Sequence, residues 1–306
     1  MTEKSAPPIH FADRLLAAIE AVGSPVCVGI DPNPALLPAE FQQPNDPQAQ
    51  ADAVGRWARE VLEIVRPYVP AVKPQIAYFE ALRGPAETPF VGMKIYADIV
   101  AAARERGLIV IGDAKRGDIG STASAYAQAH LAGPDDVDAL TVNGYFGADG
   151  LSPFLATAQS TGRGLFVLVR TSNPSGTAVQ NFAASDGRMF YEHIAEQVAK
   201  LGSAEEFVGA SGYSCLGAVV GATCPAEARK LRDIMPQQIF LVPGYGAQGA
   251  TAQDCAASFK ADGTGAIVNA SRSVIYAHQK SPGTDWKQAV KQAAKAFAAD
   301  IAAAVK

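Results

Sequence analysis

The sequence predicts a (β/α)8 barrel, the TIM-barrel fold, formed by one domain over residues 1–306. Eight short β-branched or aliphatic runs alternate along the chain with longer segments whose apolar residues recur at helical spacing. The runs are apolar on both faces, as expected for parallel strands that are covered by helices. Strict alternation through eight units at this chain length favours a closed barrel.

The predicted strands are short apolar segments that end at glycine, proline or polar residues. Parallel strands need long crossover connections, and the segments between these runs are long enough to supply them. In chain order the runs are "PVCVGID" (25–31), "AVKPQIAYF" (71–79), "LIVIGDAK" (108–115), "DALTVNGY" (138–145), "GLFVLVRTS" (164–172), "LGAVVGATC" (216–224), "IFLVPGYG" (239–246) and "GAIVNASRS" (265–273).

The segments between the strands are predicted to be crossover helices. Residues 54–65 and 286–305 show the helical period most clearly. A further helix that starts near Phe11 precedes the first strand and is expected to cap the barrel floor, after a loose tail at residues 1–9. The polar stretch 171–188 is expected to be a mobile loop over the site rather than a domain boundary.

Composition excludes several functional classes. The chain carries 30 acidic and 26 basic residues without a block of like charges, so it lacks the basic surface typical of nucleic-acid-binding proteins. No apolar run approaches ~18 residues, and the N-terminus lacks the pattern of a secretory signal. The 4 cysteines are scattered and indicate neither a zinc site nor a disulfide framework. We therefore expect a soluble cytoplasmic protein with no nucleic-acid or membrane partner.

The stretch "IVIGDAKRGDIGSTASAYA", residues 109–127, concentrates charge at the end of a predicted strand. The two-residue period of a strand aims Asp113 and Lys115 at one side, towards the barrel mouth, while Arg116 points away. Gly117 permits a tight turn. Asp118 can then return to the same region or reach a neighbouring chain.

This pattern favours proton transfer over amine chemistry. Carboxylates on both sides stabilise the ammonium form of Lys115, which argues against a Schiff-base nucleophile. A lysine of this kind suits delivery of a proton to a carbanion. Asp113 would repel a negative group on the substrate, and that repulsion ends if the group leaves as carbon dioxide. A purely structural ion-pair network is the alternative.

A second motif, "LVPGYGAQGA", satisfies G-x-G-x-x-G with Gly244, Gly246 and Gly249. A dinucleotide site is disfavoured because the motif follows the seventh predicted strand instead of the first. Barrels of this type commonly bind phosphate at the loops after strands seven and eight. Gln248 and Arg272 would then be side-chain ligands of the phosphate, although Arg272 alone would also fit a surface salt bridge.

Other strand ends carry Asp31, Lys73 and Ser172. Taken alone, each of these residues is also typical of a helix cap or of a solvated residue at the rim of the barrel. Together they predict a polar site at the barrel mouth. Since no cluster of metal ligands or convincing cofactor motif occurs, the reaction is expected to need no metal and no organic cofactor.

The motifs "CVGIDPNP", "VKPQIAYFE", "GDAKRGDIGSTASAYA", "RTSNPSG", "VPGYGAQG" and "NASRS" occur in this order. With them the sequence resembles the orotidine 5'-phosphate decarboxylase family, in its longer, type 2 form, from about residue 10 to about residue 300. The resemblance implies conversion of orotidine 5'-phosphate to uridine 5'-phosphate and carbon dioxide, in pyrimidine synthesis, without a cofactor. It also implies a barrel that works as a homodimer with shared active sites.

The resemblance assigns catalytic roles residue by residue. Lys115 corresponds to the proton donor to C6, and Asp113 to the carboxylate beside the departing group. Asp118 corresponds to the acid that reaches in from the partner subunit, with Thr122 beside it. Lys73 belongs to the alternating charge network.

Binding roles follow in the same way. Asp31 and Lys73 match the ribose-binding pair that completes the alternating charge network. Ser172 matches the pyrimidine contact, and Gln248 with Arg272 matches the phosphate site. Two residues depart from the family pattern: Gly144 stands where proline is expected, and Ser271 stands where glycine is frequent.

The sequence leaves three alternatives to this function. Related D-x-K-x-x-D barrels act on sugar phosphates and use Mg2+. A barrel with the same phosphate site would also serve as a non-catalytic sensor of phosphoribosyl ligands. The G-x-G-x-x-G motif leaves a nicotinamide oxidoreductase as the third.

Overall fold

The computed structural model describes residues 8–306 and shows a closed barrel of parallel strands in chain order. Each strand pairs with the next, and the eighth pairs with the first, so the predicted TIM barrel is confirmed. The strands are β1 (Val26–Ile30), β2 (Ala71–Pro74), β3 (Ile109–Arg116), β4 (Ala139–Val142), β5 (Gly164–Arg170), β6 (Leu216–Val220), β7 (Phe240–Pro243) and β8 (Ala266–Ala270).

Helices surround the barrel. The apolar face predicted for residues 54–65 is buried in α2, with Trp57 completely covered. The helices are α1 (Phe11–Val22), α2 (Pro47–Val65), α3 (Ile76–Glu80), α4 (Val91–Glu105), α5 (Gly120–Leu131), α6 (Gly147–Ser160), α7 (Thr177–Gln180), α8 (Phe190–Gly202), α9 (Pro225–Ile234), α10 (Ala252–Ala256), α11 (Arg272–Ile275) and α12 (Trp286–Ala304).

Several strands are shorter than their apolar runs suggested. The run at 71–79 leaves the barrel after Pro74 and continues as α3, where the Gln75 side chain accepts a hydrogen bond from the Ala77 N–H. The run at 265–273 similarly becomes α11 from Arg272. Periodicity cannot separate a short buried strand from the first turn of a buried helix, and the barrel rim sets the boundary.

Helix α1 closes the N-terminal end of the barrel, as expected. Phe11 is buried with its ring edge-on to Phe166, at 5.9 Å between ring centroids. A Cβ atom at Gly164, the first residue of β5, would lie 2.1 Å from a ring carbon of Phe11, so glycine is required there. Of the tail predicted at residues 1–9, residues 1–7 lie outside the described part of the chain.

Across residues 8–306, the helices are all too short or too polar to cross a membrane.

We expect Phe11→Ala to lower the free energy of unfolding by about 3 kcal/mol, because it leaves a cavity between α1 and the barrel floor. Urea denaturation followed by circular dichroism measures this. Ile9→Ala, at a side chain that is 70% exposed, is the control and should unfold like the parent protein. An unchanged midpoint for Phe11→Ala would show that α1 does not stabilise the floor.

Candidate active site

A cavity of about 470 Å³ opens at the carboxyl ends of the strands. Polar side chains from loops far apart in the sequence meet there, above an apolar floor formed by Leu168, Val219 and Leu241. Most of the site residues expected from the sequence line this cavity. They are Asp31, Lys73, Asp113, Lys115, Ser172, Gln248 and Arg272.

The centre of the site is a carboxylate between two ammonium groups. Lys73 Nζ lies 2.5 Å from Asp113 Oδ2, and Lys115 Nζ donates to Asp113 Oδ1. The side chains of Lys73 and Asp113 are 7% and 10% exposed, whereas that of Lys115 is 47% exposed and faces the cavity. Lys115 is therefore the member of the cluster that is open to a ligand.

The charges determine the protonation of the buried pair. Burial opposes the ionised form of Asp113, but the cations Lys73 and Lys115 and their hydrogen bonds lower its pKa well below the usual range. Burial likewise opposes the cationic form of Lys73, but Asp113 and Asp31 raise its pKa above the ordinary value. At neutral pH the pair is an ammonium–carboxylate ion pair.

Regular strand alternation is not the reason that Asp113 and Lys115 meet. The pairing of β3 with β4 shifts between Gly112 and Arg116. Lys115 adopts a left-handed backbone with φ of 49°, and it is the one non-glycine residue between 8 and 306 with positive φ. The bend returns the lysine to Asp113, while Arg116 points away and pairs with Glu80.

A tyrosine that sequence reasoning missed fixes the loop after β1. The Tyr276 hydroxyl donates to the carbonyl of Asp31 at 2.9 Å and accepts from the Asn33 N–H at 2.7 Å. Its ring stacks on Trp57 with centroids 5.8 Å apart. Asp31 thus stands at the mouth beside Lys73, whose strand pairs with β1 at Gly29.

Ser172 is placed by close approach of β5 and β6. A Cβ atom at Gly221 would lie 2.9 Å from the Ser172 nitrogen, so the site needs glycine there. The following segment, expected as a loop, contains a short helix, α7. Its last residue, Gln180, accepts from Thr171 N–H and Arg170, and donates to the Thr171 hydroxyl.

The glycine motif forms the opposite rim. Gly244, Gly246 and Gly249 all have positive φ, at 116°, 67° and 88°, which explains why glycine occurs at each. The loop brings Gln248 to the cavity, and Arg272 reaches it from the start of α11. Both side chains belong to exposed residues, so a ligand phosphate can reach them from solvent.

The two departures from the family pattern occupy tight places. Ser271 Oγ lies 1.8 Å from where a Cβ of Gly29 would be. Ser271 therefore fills space that the glycine on β1 leaves open. A Cβ at Gly144 would lie 2.8 Å from a methyl group of Val167.

Asp118 and Thr122 do not line the cavity of their own chain. Asp118 is half-buried and accepts a hydrogen bond from the Ile119 N–H, and Thr122 is exposed on α5. Large apolar side chains are exposed in the same region: Ile119 by 55% and Tyr145 by 73%.

Sequence reasoning also missed Thr141 on β4 and Asn269 on β8, which line the cavity. Both are buried, at 1% and 7% exposure. Asn269 Oδ1 has no hydrogen-bond partner among the described residues. The signal that could have found them is a polar residue inside a continuous apolar run, since such a group needs a partner in the fold or in a ligand.

The sequence pattern of the Orotidine 5'-phosphate decarboxylase / HUMPS family matches residues 24–289. The chain belongs to this family, which confirms the resemblance noted in its sequence.

Individual relatives carry the decarboxylase name. The orotidine 5'-phosphate decarboxylase of Rhodopirellula baltica is 43% identical over 92% of this chain and 96% of its own length. That of Deinococcus radiodurans is 48% identical over 71% of this chain and 75% of its own. The solved structure of Leishmania donovani OMP decarboxylase is 29% identical, covers 97% of this chain and 99% of that one, and superposes with a TM-score of 0.73.

We expect Asp113→Asn to destabilise the protein by about 3 kcal/mol at pH 7, because it leaves Lys73 buried without its anion. The pKa of Asp113 is lowered in the folded state, so its contribution is full above the unfolded pKa of about 3.9 and is lost as pH falls. The difference in the free energy of unfolding between the parent protein and Asp113→Asn should therefore be smaller at pH 3 than at pH 7.

Urea midpoints at pH 7 and pH 3 measure this gap. Asp52→Asn, which removes an exposed carboxylate on α2, is the control and should match the parent protein at both pH values. A gap that is equal at pH 7 and pH 3 would contradict a stabilising ionised Asp113.

Proposed function

We propose that this protein decarboxylates orotidine 5'-phosphate to uridine 5'-phosphate and carbon dioxide, with Lys115 as proton donor to C6. The observation that carries the proposal is the Lys73–Asp113–Lys115 cluster at the mouth of a barrel whose opposite rim presents Gln248 and Arg272. Family membership and the names of the relatives support the substrate.

The cluster suits each step of the reaction. The bond between C6 and the carboxylate breaks, its electron pair stays on C6, and carbon dioxide leaves. A proton from Lys115 Nζ then forms the C6–H bond, and solvent restores the proton to the amine. Asp113 holds Lys115 by a hydrogen bond, so the donor is in place before the anion forms.

Asp113 also opposes the bound carboxylate. Its low pKa keeps it charged, and a second anion next to it is repelled until it departs as a neutral molecule. The ion pair with Lys73 keeps Asp113 from moving away.

The phosphate lies far from the bond that breaks, and it contributes by binding. Arg272 is suited to a forked contact with phosphate oxygens, and Gln248 supplies a further donor. Binding there would draw the segments 171–188 and 248–264 over the site. Closure excludes water and strengthens every charge contact inside.

The proposal includes a homodimer in the cytoplasm. Asp118 and Thr122 would enter the partner's cavity across an interface that covers Ile119 and Tyr145. Their exposure supports this, because large apolar groups close to a site favour a protein contact.

The direct test follows the ultraviolet absorbance of orotidine 5'-phosphate with purified protein in EDTA. We expect decay with the parent protein and a loss of at least about 10³-fold in kcat with Lys115→Ala. Lys94→Ala, at an exposed lysine on α4, is the control and should keep full activity. No decay at micromolar protein in EDTA would refute the proposal.

Subunit mixing tests whether the site is shared. In a heterodimer of Lys115→Ala and Asp118→Ala subunits, one of the two sites regains both residues if Asp118 acts in the partner's cavity. We expect about half of the parent activity per heterodimer. The matched control is a heterodimer of Lys115→Ala and Asp113→Ala, whose residues share one chain, and it should stay inactive. Equal results for both heterodimers would exclude the shared site.

A further inference from the structure

We propose that Thr141 is a positioning residue for the reaction, whose hydroxyl fixes both Asp113 and the backbone that carries Lys115. This rests on the proposed function, in which Lys115 donates the proton. Thr141 lies on β4 with 1% exposure and lines the cavity.

The need for Thr141 arises from the pairing of β3 with β4. Gly112 pairs with Leu140, and Arg116 pairs with Val142. Residues 113–115 therefore face a single residue, Thr141, and the extra length leaves N–H groups of β3 without carbonyl partners on β4. Buried N–H groups of this kind require another acceptor.

The Thr141 hydroxyl is that acceptor. The N–H groups of Ala114 and Lys115 both donate to Thr141 Oγ1 at 3.0 Å. A side-chain oxygen thus takes the place of the backbone carbonyl groups of β4 as hydrogen-bond acceptor. This happens where the chain turns into the left-handed conformation of Lys115. That conformation is unfavourable for a residue with a side chain, so it persists only where contacts such as these hold it.

The direction of the hydroxyl proton is determined by elimination. A threonine hydroxyl has two acceptor positions and one donor proton. Both acceptor positions are used by the N–H groups. The proton has two oxygens in reach, Asp113 Oδ1 at 3.1 Å and the Gly112 carbonyl at 3.5 Å, and the shorter contact to an ionised oxygen is the stronger.

One hydroxyl therefore contacts both groups whose relative position matters for the reaction, Asp113 and the backbone of Lys115. It holds Asp113 Oδ1, the same oxygen that accepts from Lys115 Nζ, and it holds the peptide from which the Lys115 side chain departs. Thr141 acts through these groups. Loss of the hydroxyl should disturb their alignment and leave the phosphate rim unaffected.

The test compares Thr141→Val, which keeps the shape and removes the hydroxyl, with Thr141→Ser, which keeps it. We expect Thr141→Val to lower kcat at least about tenfold, because small misplacements of reacting groups are costly. KM and the affinity for uridine 5'-phosphate by calorimetry should change less than threefold. Thr141→Ser should restore most of kcat.

Ser214→Ala is the matched control. Ser214 is a buried hydroxyl that also accepts a backbone N–H, from Leu216, but at the other end of the barrel. It should lower stability without changing kcat. A kcat of Thr141→Val within twofold of the parent value, or a Thr141→Ser variant as slow as Thr141→Val, would overturn the proposal.

Amide hydrogen exchange tests the same contact without turnover. We expect faster exchange at Ala114 and Lys115 in Thr141→Val than in the parent protein or in Thr141→Ser, and unchanged exchange would overturn the proposal. If Thr141→Val does not fold, Thr141→Ala takes its place in both measurements. A parent protein that fails to act on orotidine 5'-phosphate refutes the proposed function alone, because the exchange result stands independently.

Discussion

The Asp113 carboxylate, buried between Lys73 and Lys115, is the interaction on which the rest of the site depends. A carboxylate this far from water needs compensating charge and hydrogen bonds, or it would take up a proton. Adjacent strands provide the two cations, Lys73 on β2 and Lys115 at the end of β3. The barrel is thus arranged so that one anion stays charged next to an exposed ammonium group.

At both ends of the β3–β4 pairing, side-chain oxygens accept hydrogen bonds from backbone N–H groups of β3. At the floor, Asp138 Oδ2 accepts the Val110 N–H, and Arg14 holds the other oxygen at 2.7 Å. At the mouth, Thr141 accepts from Ala114 and Lys115. The floor contact is buried and cross-linked by arginine, which favours stability, whereas the contact at the mouth bends the chain towards the cavity. This division agrees with the general separation of stability and chemistry in such barrels.

A buried arginine, Arg232, also secures the floor of the barrel away from the site. Arg232 on α9 donates to the carbonyl oxygens of Ser258, Met235, Gln238 and Gly265. These carbonyl groups belong to the segments that lead into β7 and β8 or follow α9 and α10. These contacts tie the segments together at the end of the barrel opposite the loops that carry Gln248 and Arg272.

The sequence by itself determined the order of the eight strands, the placement of Asp113 and Lys115 at a strand end, and the glycines of the rim, because these depend on local periodicity and on backbone conformations that few residues adopt. The left-handed turn at Lys115, the role of Thr141 and the support of Asp31 by Tyr276 were decided only by the tertiary structure. Each joins residues that are distant in the chain: Tyr276 lies 245 positions from Asp31, and Thr141 lies 26 from Lys115. Local pattern carries no information about such contacts, since strand register and barrel closure alone bring these groups together.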